Sequence, residues 1–437
     1  MKDSTERDPP CSSATTVVDE LFRLPRYASR PGLHRMERLL AGTPEARPAP
    51  AIHVVGSNGK GSVSSWIAAW LSALGFRVGL FTSPHLRRVN ERFRIGGEPV
   101  TDEEIVEAVA WLRPRLAAGP ADDPVLAFEA LSAVAARIFY RAAVDVVVWE
   151  AGIGGRHDAT RIFGGLLAAL VSVDLEHTSV LGDTLEAIAL DKAEIVAEGG
   201  TLVLGDLPAS VARRVASAAQ PRGVRLSAIR PEWRSSPLLG TGAAPYLEHN
   251  AALAASTVDT FLEMSILTSG RTPSPSPSRR ESAEKAFAAC PLPGRMERAA
   301  ASGPESPEVW VDMAHTPDAT AQVAKACAQL APGKRWTIVL GISADKIEKT
   351  VALVAPLAEP ADLFVCTRAA HRGGDPTRIE TRLAAFGKPV IRRDEPAAAL
   401  AEARSHGRPI LVTGSLFLAV EVGEILAGRD PRALSFY

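Results

Sequence analysis

With 437 residues the chain is too long for one typical core, so two or three domains are expected. Its 49 Lys and Arg against 50 Asp and Glu leave a formal charge of −1, which argues against nucleic acid or an anionic membrane as partner. Cys11, Cys290, Cys327 and Cys366 form neither a disulfide framework nor a zinc pattern, the polar N-terminus has no hydrophobic signal core, and no apolar run approaches the ~20 residues that span a bilayer. Small-molecule partners and a reducing cytoplasm are the expectation.

Residues 1–15 read as a disordered N-terminus, and Val17 to Leu40 as a helical lead-in interrupted near Pro25 and Pro31. His53 to Ser62, HVVGSNGKGS, then runs an apolar strand into a glycine-rich turn ahead of a helix-compatible run from Val63 to Leu74. Backbone N–H groups and a helix N-terminus face an anion in such a turn, and Lys60 adds a mobile cation, so Asn58, Gly59, Lys60, Gly61 and Ser62 are predicted to cradle ATP phosphates. The spacing differs from the Walker pattern. Gly61 stands where the hydroxyl after the lysine is expected, and Ser62 follows one place later, which leaves a metal to be held from elsewhere.

Val78 to Phe81 is a short strand emptying into TSPHL and an arginine-rich stretch. Thr101 to Leu116 and Phe128 to Tyr140 read as helices, the first with a capping signature. Val144 to Trp149 is an apolar strand ending on Glu150, Leu166 to Val173 ends near Asp174, Glu176 and His177, and Leu202 to Leu204 continues the alternation. Apolar strands separated by helices predict an α/β fold around a mainly parallel P-loop sheet covered on both faces. Glu150 and His177 end successive strands of that sheet, where ligands bind in open α/β folds, and together suit Mg2+ held mainly by oxygen with one imidazole. AGIGGRHDAT adds close backbone approach and the carboxylate of Asp158. Lys192, on a helix starting near Thr184, reads as a solvated surface charge.

From 265 to 290 the composition shifts to Ser, Pro, Arg and Lys, as a flexible linker or insertion would, and divides a first domain at 16–264 from a second at 291–437. The second repeats the alternation with strands at Val309 to Val311, Trp336 to Leu340, Leu363 to Cys366, Pro389 to Ile391 and Ile410 to Val412, giving a smaller Rossmann-like α/β domain.

HVVGSNGKGS, TSPHLRRVNERFRI, EAGIGGRHDAT, EHTSVLGDTLEAIALDKAEI, PGRME, DMAHTPDA and TGSLFL, in that order, resemble the folylpolyglutamate synthase/dihydrofolate synthase family of the Mur ligase superfamily. The resemblance implies a cytoplasmic, monomeric ligase that adds L-glutamate to dihydropteroate or folate through an acyl phosphate, with ATP across the cleft between the domains. It implies catalytic roles for Lys60, His177 and Lys192. Mg2+ ligands would be Ser83, Glu150, His177 and Lys192, the last carbamylated so that it holds a second Mg2+. Asn250, Arg295, Asp312 and His315 would meet the nucleotide, and Arg92, Phe128, Asp158, Ala159 and Ser415 the acid or glutamate. Thr316, Glu176, Arg161, His157 and the run Leu126-Ala127-Phe128 depart from the family's usual residues, which leaves room for a Mur-type ligase acting on another acid. A non-catalytic nucleotide-binding protein is the reading from another class.

Overall fold

The computed structural model describes residues 14–27, 30–240, 242–269, 278–299 and 306–434, excepting the side chains of 265–269 and 433. The chain divides into two compact units. One takes the described residues up to Ile229 together with Leu253–Ser282, the other Arg230–Ala252 together with the described residues from Ala283 onward.

In the first unit the strands are β1 (Ala51–Val55), β2 (Val78–Phe81), β3 (Phe93–Ile95), β4 (Glu98–Pro99), β5 (Val146–Glu150), β6 (Leu167–Leu170), β7 (Thr201–Leu204) and β8 (Arg225–Ala228). They form one sheet in the order β4-β3-β2-β5-β1-β6-β7-β8. β2, β5, β1, β6, β7 and β8 run parallel, and β3 and β4 add an antiparallel edge. The reason is legible in β5: Val147, Val148 and Trp149 are all fully buried, as a strand covered by helices on both faces requires. Trp149 stacks on Phe163 at 4.1 Å between ring centres and meets Phe81 and Phe139 edge-on, forming the centre of the larger core.

The second unit repeats the plan with β9 (Glu297–Arg298), β10 (Val309–Val311), β11 (Trp336–Leu340), β12 (Ala361–Cys366), β13 (Val390–Arg392) and β14 (Ile410–Thr413) in the order β13-β12-β11-β14-β10-β9. Only β9 is antiparallel to its neighbour.

Local signals explain the element ends. The helix Asp102–Ala117 opens on a capping box, with Thr101 Oγ1 accepting from Glu104 N and Glu104 Oε2 accepting from Thr101 N at 2.8 Å. The helix predicted from Val63 starts at Lys60, because Gly59 takes the left-handed φ of 82° and turns the chain into it early. β6 stops at Leu170, short of the predicted Val173. Val171 N bonds Val55 O at 2.8 Å, and the chain turns so that Ser172 holds Asn58 in the glycine turn after β1. Of the stretch expected to be a flexible linker, residues up to Ser269 continue the helix Pro245–Ser269 and Arg279–Ala288 form another. The Ser/Pro bias concentrates at 270–277, outside the described residues, as are 1–13 of the expected disordered N-terminus. The buried Asp259 carboxylate accepts from Arg279 at 2.9 Å and ties the two helices together.

His53 contributes a pH term to this sheet. Fully buried on β1, it donates from Nε2 to Thr160 O at 2.9 Å, while Nδ1 has no partner and faces Gly165, where a Cβ would lie 2.3 Å away. Burial pushes its pKa down to about 4, so the folded ring stays neutral while the unfolded ring protonates near 6.5. The folded pKa lies below the unfolded one, so stability falls as pH drops through 6.5 and levels off near 4, a loss of about 3 kcal/mol. His53→Gln, which retains an N–H for Thr160, should flatten that decline in urea unfolding midpoints. Parallel decline in both proteins would remove His53 as its cause.

Candidate active site

The turn after β1 and the ends of β2, β5 and β6 lie side by side along the C-terminal edge of the first sheet. The turn is braced from β6: Ser172 Oγ accepts from Asn58 N and donates to Asn58 O, both at 2.9 Å, and Ser57 Oγ accepts from Asp174 N at 2.9 Å. Lys60 Nζ folds back onto the carbonyls of Gly56 at 2.9 Å and Ser57 at 3.3 Å. Two buried polar atoms of the turn, Asn58 Nδ2 and Ser62 Oγ, have no hydrogen-bond partner in the protein. Buried donors are left unmatched only at a cost, so the turn offers both to an anion.

Glu150, 4% exposed, borders this turn. A Cβ on Gly61 would stand 3.6 Å from Glu150 Oε1, an ordinary contact distance that places the helix start beside the carboxylate. Glu150 Oε2 accepts from Ser83 N at 2.9 Å, bringing two predicted metal ligands together. On the β6 side, Glu176 bridges the other two: its Oε1 takes Lys192 Nζ at 2.8 Å, and its Oε2 lies 4.0 Å from His177 Nε2. His177 sits in the left-handed region at φ 45°.

Lys192 is 1% exposed, which corrects its reading as a solvated charge. The glycines of AGIGGRHDAT contribute: a Cβ on Gly155 would meet Lys192 O at 2.4 Å, so this loop packs directly on the C-terminal end of the helix Leu185–Ala193. Burial pulls the Lys192 ammonium below its usual pKa, Glu176 offsets part of that, and the Lys60 cation adds to it. Burial works to raise Glu176, but Lys192 and Lys60 outweigh it and hold the carboxylate below its ordinary value.

Among the described residues no three His, Cys, Asp or Glu side chains group closely enough to hold a metal alone. Glu150, the Ser83 hydroxyl and an imidazole fit a hard divalent cation, whereas the Lys192 ammonium does not.

Asp158 is buried and fully engaged by its own loop, accepting from Gly152 N and Ile153 N on one oxygen and from Thr160 N and Oγ1 on the other. It shapes the loop that starts the short turn at Ala159. Burial raises its pKa. Phe128 fills the space that Gly152 leaves, a Cβ there coming within 2.9 Å of its ring, and lies 5.6 Å from the Phe81 ring. Arg92 is 7% exposed, donates to His85 Nδ1 at 2.8 Å, and is lowered by burial to about 10, with Glu150 and Glu91 pulling upward.

In the second unit Asp312 follows β10 and Ser415 follows β14, again at strand C-terminal ends. Buried Asp312 accepts from Tyr246 Oη at 2.6 Å and from Met296 N and Ala314 N at 2.8 Å. Burial raises it, opposed by nearby Arg295. Tyr246 lies one helical turn before the buried Asn250, so the Asp312 contact fixes the helix start that carries Asn250. His315 Nδ1 bonds Met313 O at 2.8 Å. Ser415 Oγ caps the helix Leu416–Leu426 and lies 3.3 Å from Ser343 Oγ.

Sequence reasoning missed Ser57 and Ser172 as braces, Glu176 as the partner of Lys192, and Tyr246. Only Glu176 carried a signal, as a carboxylate beside His177. No described helix is long and apolar enough to cross a membrane.

A profile for the Mur ligase, glutamate ligase domain, matches residues 294–416. Folylpolyglutamate synthase of Lacticaseibacillus casei is 32% identical over 95% of this chain and 99% of its own. The probable bifunctional folylpolyglutamate synthase/dihydropteroate synthase of Haloferax volcanii is 33% identical over 93% of this chain, which spans about half that relative's length (49%). Among solved structures, E. coli FolC in complex with DHPP and ADP superposes at a TM-score of 0.79 with 26% identity, covering 96% of this chain and 99% of that one. The Yersinia pestis folylpolyglutamate synthase/dihydrofolate synthase complexed with AMPPNP and a Mn ion gives 0.78 with 25% identity, covering 96% and 100%.

Proposed function

We propose, because this chain belongs to the folylpolyglutamate synthase/dihydrofolate synthase family, that it is an ATP-dependent ligase joining L-glutamate both to dihydropteroate and to reduced folates. The observation that carries the reading is the phosphate turn itself: Lys60, with the unmatched Asn58 Nδ2 and Ser62 Oγ, at a strand-end edge beside Glu150. In the reaction the substrate carboxylate oxygen forms a bond to the terminal phosphorus of ATP as ADP leaves. The glutamate amine then forms the C–N bond, and phosphate departs with the acyl oxygen while the amine loses its proton. Lys60 and the turn's N–H groups neutralise charge on the transferred phosphoryl group, which is where a preorganised donor lowers the barrier.

One Mg2+ would be held by Ser83, Glu150 and His177 and a second by a carbamylated Lys192, and they would supply charge neutralisation at the phosphate oxygens. A lysine buried with a lowered pKa supports that modification, because its neutral amine is the form that attacks carbon dioxide. Asn250, Arg295, Asp312 and His315 form the nucleotide side of the second unit, with Tyr246 fixing the position of Asn250. Phe128 and Ala159 line the acid pocket whose loop Asp158 shapes, and Arg92 and Ser415 receive carboxylates. A monomer in the cytoplasm is the working form, a compartment supported by the free thiols of Cys327 and Cys366.

The test is phosphate release with ATP, Mg2+ and L-glutamate against dihydropteroate, tetrahydrofolate and a panel of unrelated acids, with amide products identified by mass. Glutamylated pteroate and folate are expected. Turnover confined to a non-pterin acid would overturn the substrate assignment.

A further inference from the structure

The helical lead-in before β1 touches both walls of the acid pocket. On one side Phe22 of the helix Ala14–Phe22 lies under the Arg92 guanidinium, 5.3 Å from ring centre to Cζ, and 6.1 Å from the His85 ring. On the other side stands Arg35 of the helix His34–Leu40, 2% exposed. Its Nε and Nη2 grip Glu129 in a fork, with contacts of 2.9 to 3.1 Å, and its Nη1 donates to Asp123 Oδ1 at 3.2 Å and Arg30 O at 3.0 Å. Glu129 in turn accepts from Leu126 N at 2.8 Å, while Ala127 N donates to Pro25 O at 3.0 Å.

A cation this deeply buried is costly to place and is compensated only by a well-formed fork. Here the fork closes onto Glu129, which holds Leu126 two residues before Phe128, and Phe128 rests on Gly152, two residues past Glu150. One chain of contacts therefore runs from Arg35 through Glu129 and Leu126 to the pocket wall. We propose that Arg35 is a positioning residue for the acid substrate, acting through Glu129 to hold the edge Leu126 to Phe128 in register with the end of β5. This rests on reading Phe128 as part of the acid pocket.

Arg35→Lys keeps the charge and loses the fork. Its KM for dihydropteroate or folate should rise about tenfold, with KM for ATP and glutamate within about twofold and saturated kcat within about threefold of wild type. Glu129→Gln, which still accepts from Leu126 N, should behave the same way. Asp123→Asn keeps an oxygen facing Arg35 Nη1 but removes the outer negative charge, which His34 and Arg38 also contact, leaves the Glu129 fork intact, and should shift the acid KM in the same direction by about threefold, so it carries the test if Arg35→Lys does not fold. Ile105→Val, a core truncation away from this chain of contacts, should lower the melting temperature with no change in acid KM. An unchanged acid KM in folded Arg35→Lys or Asp123→Asn, or an equal rise in all three KM values, would overturn the proposal. If wild type turns over no pteroate or folate at all, the functional reading fails instead.

Discussion

Replacing Lys60 by alanine is expected to lower ATP-dependent turnover by about two to three orders of magnitude in a protein that still folds. The ammonium is half-buried and bonded only to the carbonyls of Gly56 and Ser57, so its loss costs about 1 kcal/mol of stability. Those carbonyls belong to a turn that Ser57 and Ser172 hold independently, so the turn keeps its shape. What disappears is the positive charge proposed to meet the transferred phosphoryl group. Lys60 also depresses the pKa of Lys192 and helps hold Glu176 ionised, so its removal also shifts the charge balance of the Glu176–Lys192 pair. Phosphate release, circular dichroism and nucleotide titration on one preparation separate these effects. Activity within tenfold of wild type, in a folded Lys60→Ala protein, would withdraw the turn from the chemistry.

The features legible in the sequence are those fixed by short-range chemistry. β2, β10 and β11 begin and end where their mostly apolar runs do, because strands covered on both faces need such runs. The Thr101 capping box and the Thr184 cap lie within three residues of their partners. The phosphate turn is legible for the same reason, since its glycines and Lys60 are adjacent. Illegible features depend on partners far along the chain. Arg35 and Glu129 are 94 residues apart, and Tyr246 and Asp312 are 66 apart. Asp158 looks available to substrate until its loop closes around it and uses both oxygens. Lys192 looks solvated because its helix alone gives no sign that a glycine loop from between β5 and β6 will pack on its C-terminal end.

That burial bears on the second large effect, expected at Lys192. An ammonium beside a divalent cation repels it, whereas a carbamate anion ligates it. The neutral amine attacks carbon dioxide, a C–N bond forms and one proton leaves. Burial favours the neutral amine, while Glu176, at 2.8 Å, and more weakly Asp191 favour the charged one. Lys192→Ala should therefore be nearly inactive, losing about two to three orders of magnitude. It should remain folded, since Glu176 is partly exposed at 18% and rehydrates when its partner goes. Acetate in the vacated space should restore part of the activity by returning oxygen donors, while Lys192→Arg, a permanent cation, should stay inactive. A readout free of turnover comes from 13C NMR of wild type equilibrated with labelled bicarbonate: a carbamate carbonyl signal should be present, and absent from both variants. Full activity in Lys192→Arg, or in wild type stripped of carbon dioxide and lacking that signal, would leave Lys192 as the cation that pairs with Glu176.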